Sequence, residues 1–170
     1  MSIILNIDTA TDTCSVSLTR DKAVIAVKES FNDRLHAAKL AVFIHELLND
    51  TGLSANMLSA VAVSMGPGSY TGLRIGVSTA KGICYGAGLP LIAVSTLQSM
   101  CYGVTNDYLL QNKLTDFYFC PMIDARRMEV YTALFDNQYI TQKEIIAEII
   151  DGNSLSEYLE KNPVIFFGSG

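Results

Sequence analysis

Ala60-Val61-Ala62-Val63-Ser64-Met65-Gly66-Pro67-Gly68-Ser69-Tyr70-Thr71-Gly72-Leu73-Arg74-Ile75-Gly76 is an apolar run that breaks into a glycine loop and then into a helical pattern. Ala60–Met65 predicts a buried strand and Tyr70–Tyr85 a helix. Such a loop brings backbone N–H groups and the positive end of a helix dipole to one point, where an anion could sit. It is not a P-loop, because no Lys-Ser/Thr follows a glycine at the required distance. It is not G-x-G-x-x-G either, since the third glycine position is Thr71 and Gly72 comes one residue late. The other reading is close packing. Gly72, Gly76 and Ala80 fall on one helix ridge, as do Gly82 and Gly86, and small residues at that spacing let another helix approach. Spacing alone leaves both readings open.

Nearer the N-terminus, Ile3–Ile7 reads as a buried strand, and the polar turn Asp8–Thr13 leads into a strand at Cys14–Thr19. Arg20-Asp21 connects this to a third strand at Ala23–Lys28, giving an antiparallel meander. Leu35–Asn49 is the clearest helix, with Gly52 as its stop signal. A further strand, Leu89–Val94, is entered through Pro90. Strand, strand, strand, helix, strand, helix, strand is the order of a mixed sheet with helices on its faces.

The remainder looks like a second, degenerate copy. Phe119–Asp124 is a strand ending in aspartate, as Ile3–Asp8 does. Arg126-Arg127 occupies the turn, and Glu129–Phe135 returns. Val164–Phe167 then runs into Gly168-Ser169-Gly170, as Val61–Met65 runs into Gly66-Pro67-Gly68. The expected division is residues 1–96 for a first lobe and 97–170 for a second. The first Gly-x-Gly loop is followed by a helix and a strand and the second by nothing, so the second lobe is expected to be incomplete, the chain truncated at its C-terminus.

Composition narrows the function. Of 170 residues, 49% are hydrophobic and only 17% charged, against a usual ~25% charged. That excludes a disordered tail, a collagen-like chain and a charge-rich coiled coil. It also leaves more apolar surface than a lone domain of this size conveniently hides, which points to a partner. Net charge is −5, and the 12 basic residues form no run longer than Arg126-Arg127. Direct tRNA or DNA binding, which favours a basic stripe, is not expected. Cys14, Cys84, Cys101 and Cys120 show no C-x-x-C spacing and read as reduced thiols, small and mostly buried. Asp8 interrupts the first apolar run, and no stretch approaches ~18 apolar residues. A cytoplasmic, soluble protein with no membrane contact is expected.

The combination of motifs is more specific than its parts. Ile7-Asp8-Thr9-Ala10-Thr11, the glycine stretch Gly66–Gly76, and Asp124-Ala125-Arg126-Arg127-Met128-Glu129-Val130-Tyr131 together closely resemble the TsaB (YeaZ) family. The resemblance spans residues 3 to about 134 and returns at Gly168. It implies an α/β, two-lobed actin-like (ribonuclease-H-like) duplication with mixed sheets flanked by helices. It also implies a part in making threonylcarbamoyl-adenosine in tRNA, as a non-catalytic subunit that pairs with a TsaD-like transferase and a TsaE-like ATPase. ATP or ADP with magnesium could sit at the joint, and no cofactor is expected to be firmly held.

TsaD-like proteins carry two metal-binding histidines four residues apart on a helix after the first-lobe strand. Thr96 and Met100 stand at those positions here, and neither suits iron or zinc. His36 and His45 are nine residues apart, which puts them on opposite faces of one helix. They cannot share an ion, no H-E-x-x-H exists, and no catalytic or metal-ligating set is assembled. His36 reads as a surface or interface residue, and His45 as a packed one. Asp8 and Thr9, with Gly66, Gly68, Ser69, Thr71 and Gly168, are the candidate nucleotide contacts. The plainer reading of Asp8 is a cap on its own turn. Asp124 with Arg126 more simply braces the second hairpin than performs acid–base work.

The helix Leu35–Asn49 is apolar around most of its circumference, so it is expected to be buried on more than one side. One face would meet the sheet. The other would meet a partner, together with the small-residue ridge of the glycine helix. The expected interface is His36, Leu40, Phe43, Ile44, Leu47, Gly72, Gly76 and Ala80. In the TsaB-like family these two helices make a four-helix bundle with a second copy, the isolated chain then being a homodimer, or with TsaD. Two rival readings are a stand-alone actin-like ATPase or small-molecule kinase, which would turn over Mg-ATP alone, and a peptidase.

Overall fold

The computed structural model describes residues 1–31, 36–104 and 115–170, and of His36 the backbone alone. The chain forms two compact units, Met1–Ser95 and Thr96–Gly170.

The first unit is built on β1 (Ile3–Asp8), β2 (Cys14–Arg20), β3 (Ala23–Ser30), β4 (Ala60–Gly66) and β5 (Leu91–Ser95), in the order β3-β2-β1-β4-β5. β1, β2 and β3 form the antiparallel meander, while β4 pairs parallel with β1 and β5 parallel with β4. Alternation in the sequence sets which face is covered: Ile3, Leu5, Ile7, Cys14, Val16 and Leu18 are all buried. α1 (His36–Thr51) and α2 (Tyr70–Ala87) pack beside each other on that core through Leu40, Ile44 and Leu47 from one helix and Ala80 and Cys84 from the other. The predicted first helix residue, Leu35, lies outside the described residues.

Two boundaries differ from the sequence reading for local reasons. The β2–β3 connection is Asp21-Lys22, both with positive φ (47° and 77°), while Arg20 stays in the ladder opposite Ile3 and Ala23. Asp21 secures this turn by accepting the Ser2 N–H at 2.7 Å. That bond is the main reason its carboxyl titrates below the ordinary carboxylate range. α2 continues past Tyr85 to Ala87 because Gly88, at φ 66°, closes it in the left-handed conformation and donates to the Cys84 carbonyl.

The second unit repeats the layout. β6 (Tyr118–Arg126), β7 (Glu129–Asp136), β8 (Thr141–Glu148) and β9 (Val164–Gly168) stand in the order β8-β7-β6-β9. β6, β7 and β8 are antiparallel neighbours, and β9 is parallel to β6, as β4 is to β1. Among the described residues no strand of this sheet corresponds to β5. α3 (Thr96–Tyr102) covers one face through Leu97 and Cys101, against Phe119, Ile123, Ala133 and Phe135. On the other face Leu155, just before the single turn α4 (Ser156–Leu159), packs on Cys120, Met122 and Leu134. The repeated mixed sheets flanked by helices are the duplication that the sequence predicts. β8 is absent from the sequence reading. Its run Thr141-Gln142-Lys143-Glu144-Ile145-Ile146-Ala147-Glu148 lacks a two-residue period because most of it is exposed at a sheet edge.

Candidate functional site

The β1–β2 turn and the glycine loop meet in the first unit, and the contact is unusually close. Asp8 Oδ1 accepts the Ala10 N–H at 2.9 Å, which fixes the turn. Thr9 is 1% exposed, and its Oγ1 donates to the Gly72 carbonyl at 2.7 Å. The Ser69 N–H donates to the Ala10 carbonyl at 2.6 Å. A Cβ at Gly72 would overlap the Thr9 carbonyl oxygen, one at Gly76 the Thr9 hydroxyl, and one at Gly68 the Ala10 carbonyl oxygen. The glycines let the turn lie against the loop and the first two turns of α2, with no side chain between.

Several of the polar groups at this contact are already paired. The Ser69 amide is committed to Ala10, and the Gly72 amide to the Ser69 hydroxyl at 3.2 Å. Thr9 is sealed, and the Gly68 cradle is filled by the Ala10 carbonyl. Gly66 and Thr71 flank the filled cradle. In the second unit Gly168 backs onto Met122, whose carbonyl accepts from Ser169 and Gly170. The Thr9 hydroxyl and the Ser69 amide are thus used by the chain's own backbone, as is the space beside Gly68. Asp8 follows the capping reading. Asp124 does likewise, accepting the Arg126 N–H at 2.7 Å, while Arg126 itself has positive φ (69°).

The interface residues divide in a way the sequence does not specify. Leu40, Ile44 and Leu47 are buried in the unit's own core, and Phe43 is half-buried against it. Gly72, Gly76 and Ala80 are buried too, the first two facing Thr9. Their assignment to an outward face is corrected, because the sheet takes the largest apolar residues and the β1–β2 turn takes the glycine ridge. The side chain of His36 lies outside the described residues. His45 is exposed and pairs with Asn49 at 3.0 Å, so it is not a packed residue.

The outward faces are instead Ala37, Ala38, Ala41 and Val42 on α1, and Tyr70, Arg74, Ser78, Lys81 and Tyr85 on α2. Tyr70 is 75% exposed and Tyr85 94%. The Arg74 guanidinium lies 5.5 Å from the centre of the Tyr70 ring. Tyr70, Leu73, Arg74, Val77 and Ser78 line an open groove of about 300 Å³. These residues could have been found by subtraction: once the ridge at Gly72, Gly76 and Ala80 is turned inward, residues 70, 74, 78, 81 and 85 must face out.

Thr96 and Met100 lie one turn apart on α3, Thr96 buried and Met100 half-buried. Among the described residues no three of His, Cys, Asp and Glu gather as metal ligands do. None of the described helices is long and apolar enough to cross a membrane. All four cysteines are free and buried. Burial raises their pKa values, that of Cys101 to about 12, so none is poised as a nucleophile.

Residues 28–160 match the family model described as TsaD, tRNA N6-adenosine threonylcarbamoyltransferase. The chain is 32% identical over 170 residues to the tRNA threonylcarbamoyladenosine biosynthesis protein TsaB of Bacillus subtilis, covering 97% of this chain and 70% of that protein. It is 42% identical over 130 residues to the Escherichia coli protein of the same name, covering 76% of this chain and 53% of the relative. This chain thus spans from about half to 70% of the length of these relatives. YeaZ from Pseudomonas aeruginosa superposes with a TM-score of 0.72 at 22% identity, covering 98% of this chain and 84% of that one. A duplicated mixed sheet, a glycine loop packed on the β1–β2 turn, and relatives matched along nearly the whole sequence agree: the chain belongs to the TsaB family.

Proposed function

We propose that this chain acts in the formation of threonylcarbamoyladenosine in tRNA, as a non-catalytic subunit that pairs with a TsaD-type transferase. Family membership supports the pathway. The observation that carries the pairing is the outer surface of α1 and α2. Ala37, Ala38, Ala41 and Val42 offer small apolar side chains on one helix; on its neighbour Tyr70 stands exposed at the open groove, and Tyr85 stands exposed further along. A flat stripe of alanines admits a partner helix at close range, and exposed tyrosines are common anchors at protein interfaces. A charge-poor chain with this surface is suited to bind protein. With a net charge of −5, it leaves the tRNA contacts to its partner.

The same faces would join two copies when the chain is alone. Two carboxylates that cap their own turns, four buried thiols and a filled glycine cradle support a supporting role over a catalytic one. The test is to mix the purified chain with a purified TsaD-type subunit from the same source and measure the complex by size exclusion. Val42→Asp and Tyr85→Asp place a charge on the outer faces, and each is expected to abolish the complex while the circular dichroism of the chain is unchanged. A complex that survives both substitutions together overturns the assignment of the surface.

A further inference from the structure

We infer that Thr9, a residue sealed inside the first unit, positions α2 and so tunes the pairing, an inference that rests on the reading of the α1–α2 surface just given. The Gly72 carbonyl belongs to the first turn of α2, where the helical ladder already uses it as an acceptor. The Thr9 hydroxyl adds a second donor to that oxygen, at 2.7 Å from inside the unit. Around this bond the β1–β2 turn touches α2 backbone to backbone. The Thr9 carbonyl occupies the space of a Gly72 side chain, and the Thr9 hydroxyl that of a Gly76 side chain. One residue earlier than α2, Ser69 is tied to Ala10, and Asp8 braces Ala10 from the other side.

A helix that rests on long side chains can shift while they repack. Further along, Ile75, Ala80, Ile83 and Cys84 pack α2 into the core, but where it meets the β1–β2 turn the contact is backbone atoms and a single buried hydroxyl, which leaves little slack there. Tyr70 and Arg74 project outward from the same turns of α2, so a small displacement at the Thr9 contact carries directly to the outer face. Thr9 is thus a positioning residue that needs no contact with the partner.

The purified chain is titrated against the purified TsaD-type subunit, with urea unfolding of each variant measured alongside. Thr9→Val keeps the shape and removes the hydroxyl, and it should weaken pairing about tenfold while the chain stays folded. Thr9→Ser keeps the hydroxyl and should pair within about twofold of the wild type, the rescue that a purely structural packing role would not give. Gly152→Ala adds a methyl group in the second unit where nothing lies within 4 Å, and should pair as the wild type does. If Thr9→Val fails to fold, Thr9→Cys replaces the hydroxyl with a weaker thiol donor and is expected to weaken pairing by a smaller factor. A hydroxyl-lacking variant that pairs as tightly as the wild type overturns the inference alone, as does a Thr9→Ser that falls with it. A wild-type chain that does not pair overturns the α1–α2 reading, and the inference with it.

Discussion

A methyl group added at Gly72 would have to displace the Thr9 carbonyl, whereas one added at Gly82 meets open space ten residues further along the same helix. Gly72→Ala should therefore lose about 3 kcal/mol or fail to fold, and Gly82→Ala should gain about 0.5–1 kcal/mol by limiting the unfolded chain. Urea denaturation of both variants distinguishes them. The four-residue recurrence of small side chains is plain in the sequence, but it names a face without naming its neighbour. That neighbour is a turn 63 residues away, which meets the helix with the Thr9 and Ala10 carbonyls and the single hydroxyl of Thr9. No side-chain pattern reports a contact made mostly by backbone carbonyls. The cysteines were more legible, since Cys84, Cys101 and Cys120 lie in apolar surroundings. Their burial and raised pKa values predict that the native chain resists a thiol reagent at pH 8, whereas all four thiols react once it is denatured. Fast reaction of Cys101 in the native chain would contradict its place in the core.

Among the elements, α1 shows what an all-round apolar helix conceals. Its composition signals burial on two sides but not which residues serve which side. Size decides: Leu40, Ile44 and Leu47 fill the space above the sheet, and Ala37, Ala38, Ala41 and Val42 are left outside. Leu47→Ala should cost about 2–5 kcal/mol of folding stability, measured by the urea midpoint. Val42→Asp, at a position 49% exposed, should cost under about 1 kcal/mol by the same measurement. Equal losses at the two positions would mean that α1 is rotated from the orientation described. The strands with a clear two-residue period, β1 and β2, are found from sequence nearly to the residue. β8 is not, because an edge strand exposed along most of its length has no reason to alternate.

In the whole molecule, the duplication is the most legible feature, since strand–Asp–turn–strand and strand–Gly-x-Gly each occur twice and fold into two sheets of matching strand order. The excess of apolar over charged residues becomes a surface as well as a core. Its outward share on α1 and α2 is the basis for proposing a protein partner, and the net charge of −5 fits a chain that leaves nucleic acid to that partner. The role proposed for this chain is read in what it enables. The most direct measurement is therefore threonylcarbamoyladenosine formation on tRNA by the TsaD-type subunit from the same source, supplied with the threonylcarbamoyl donor, with and without this chain. Modification that rises on adding the wild-type chain, and stays at the unstimulated level with Val42→Asp/Tyr85→Asp, is the predicted result. Modification that proceeds equally without the chain would contradict the account.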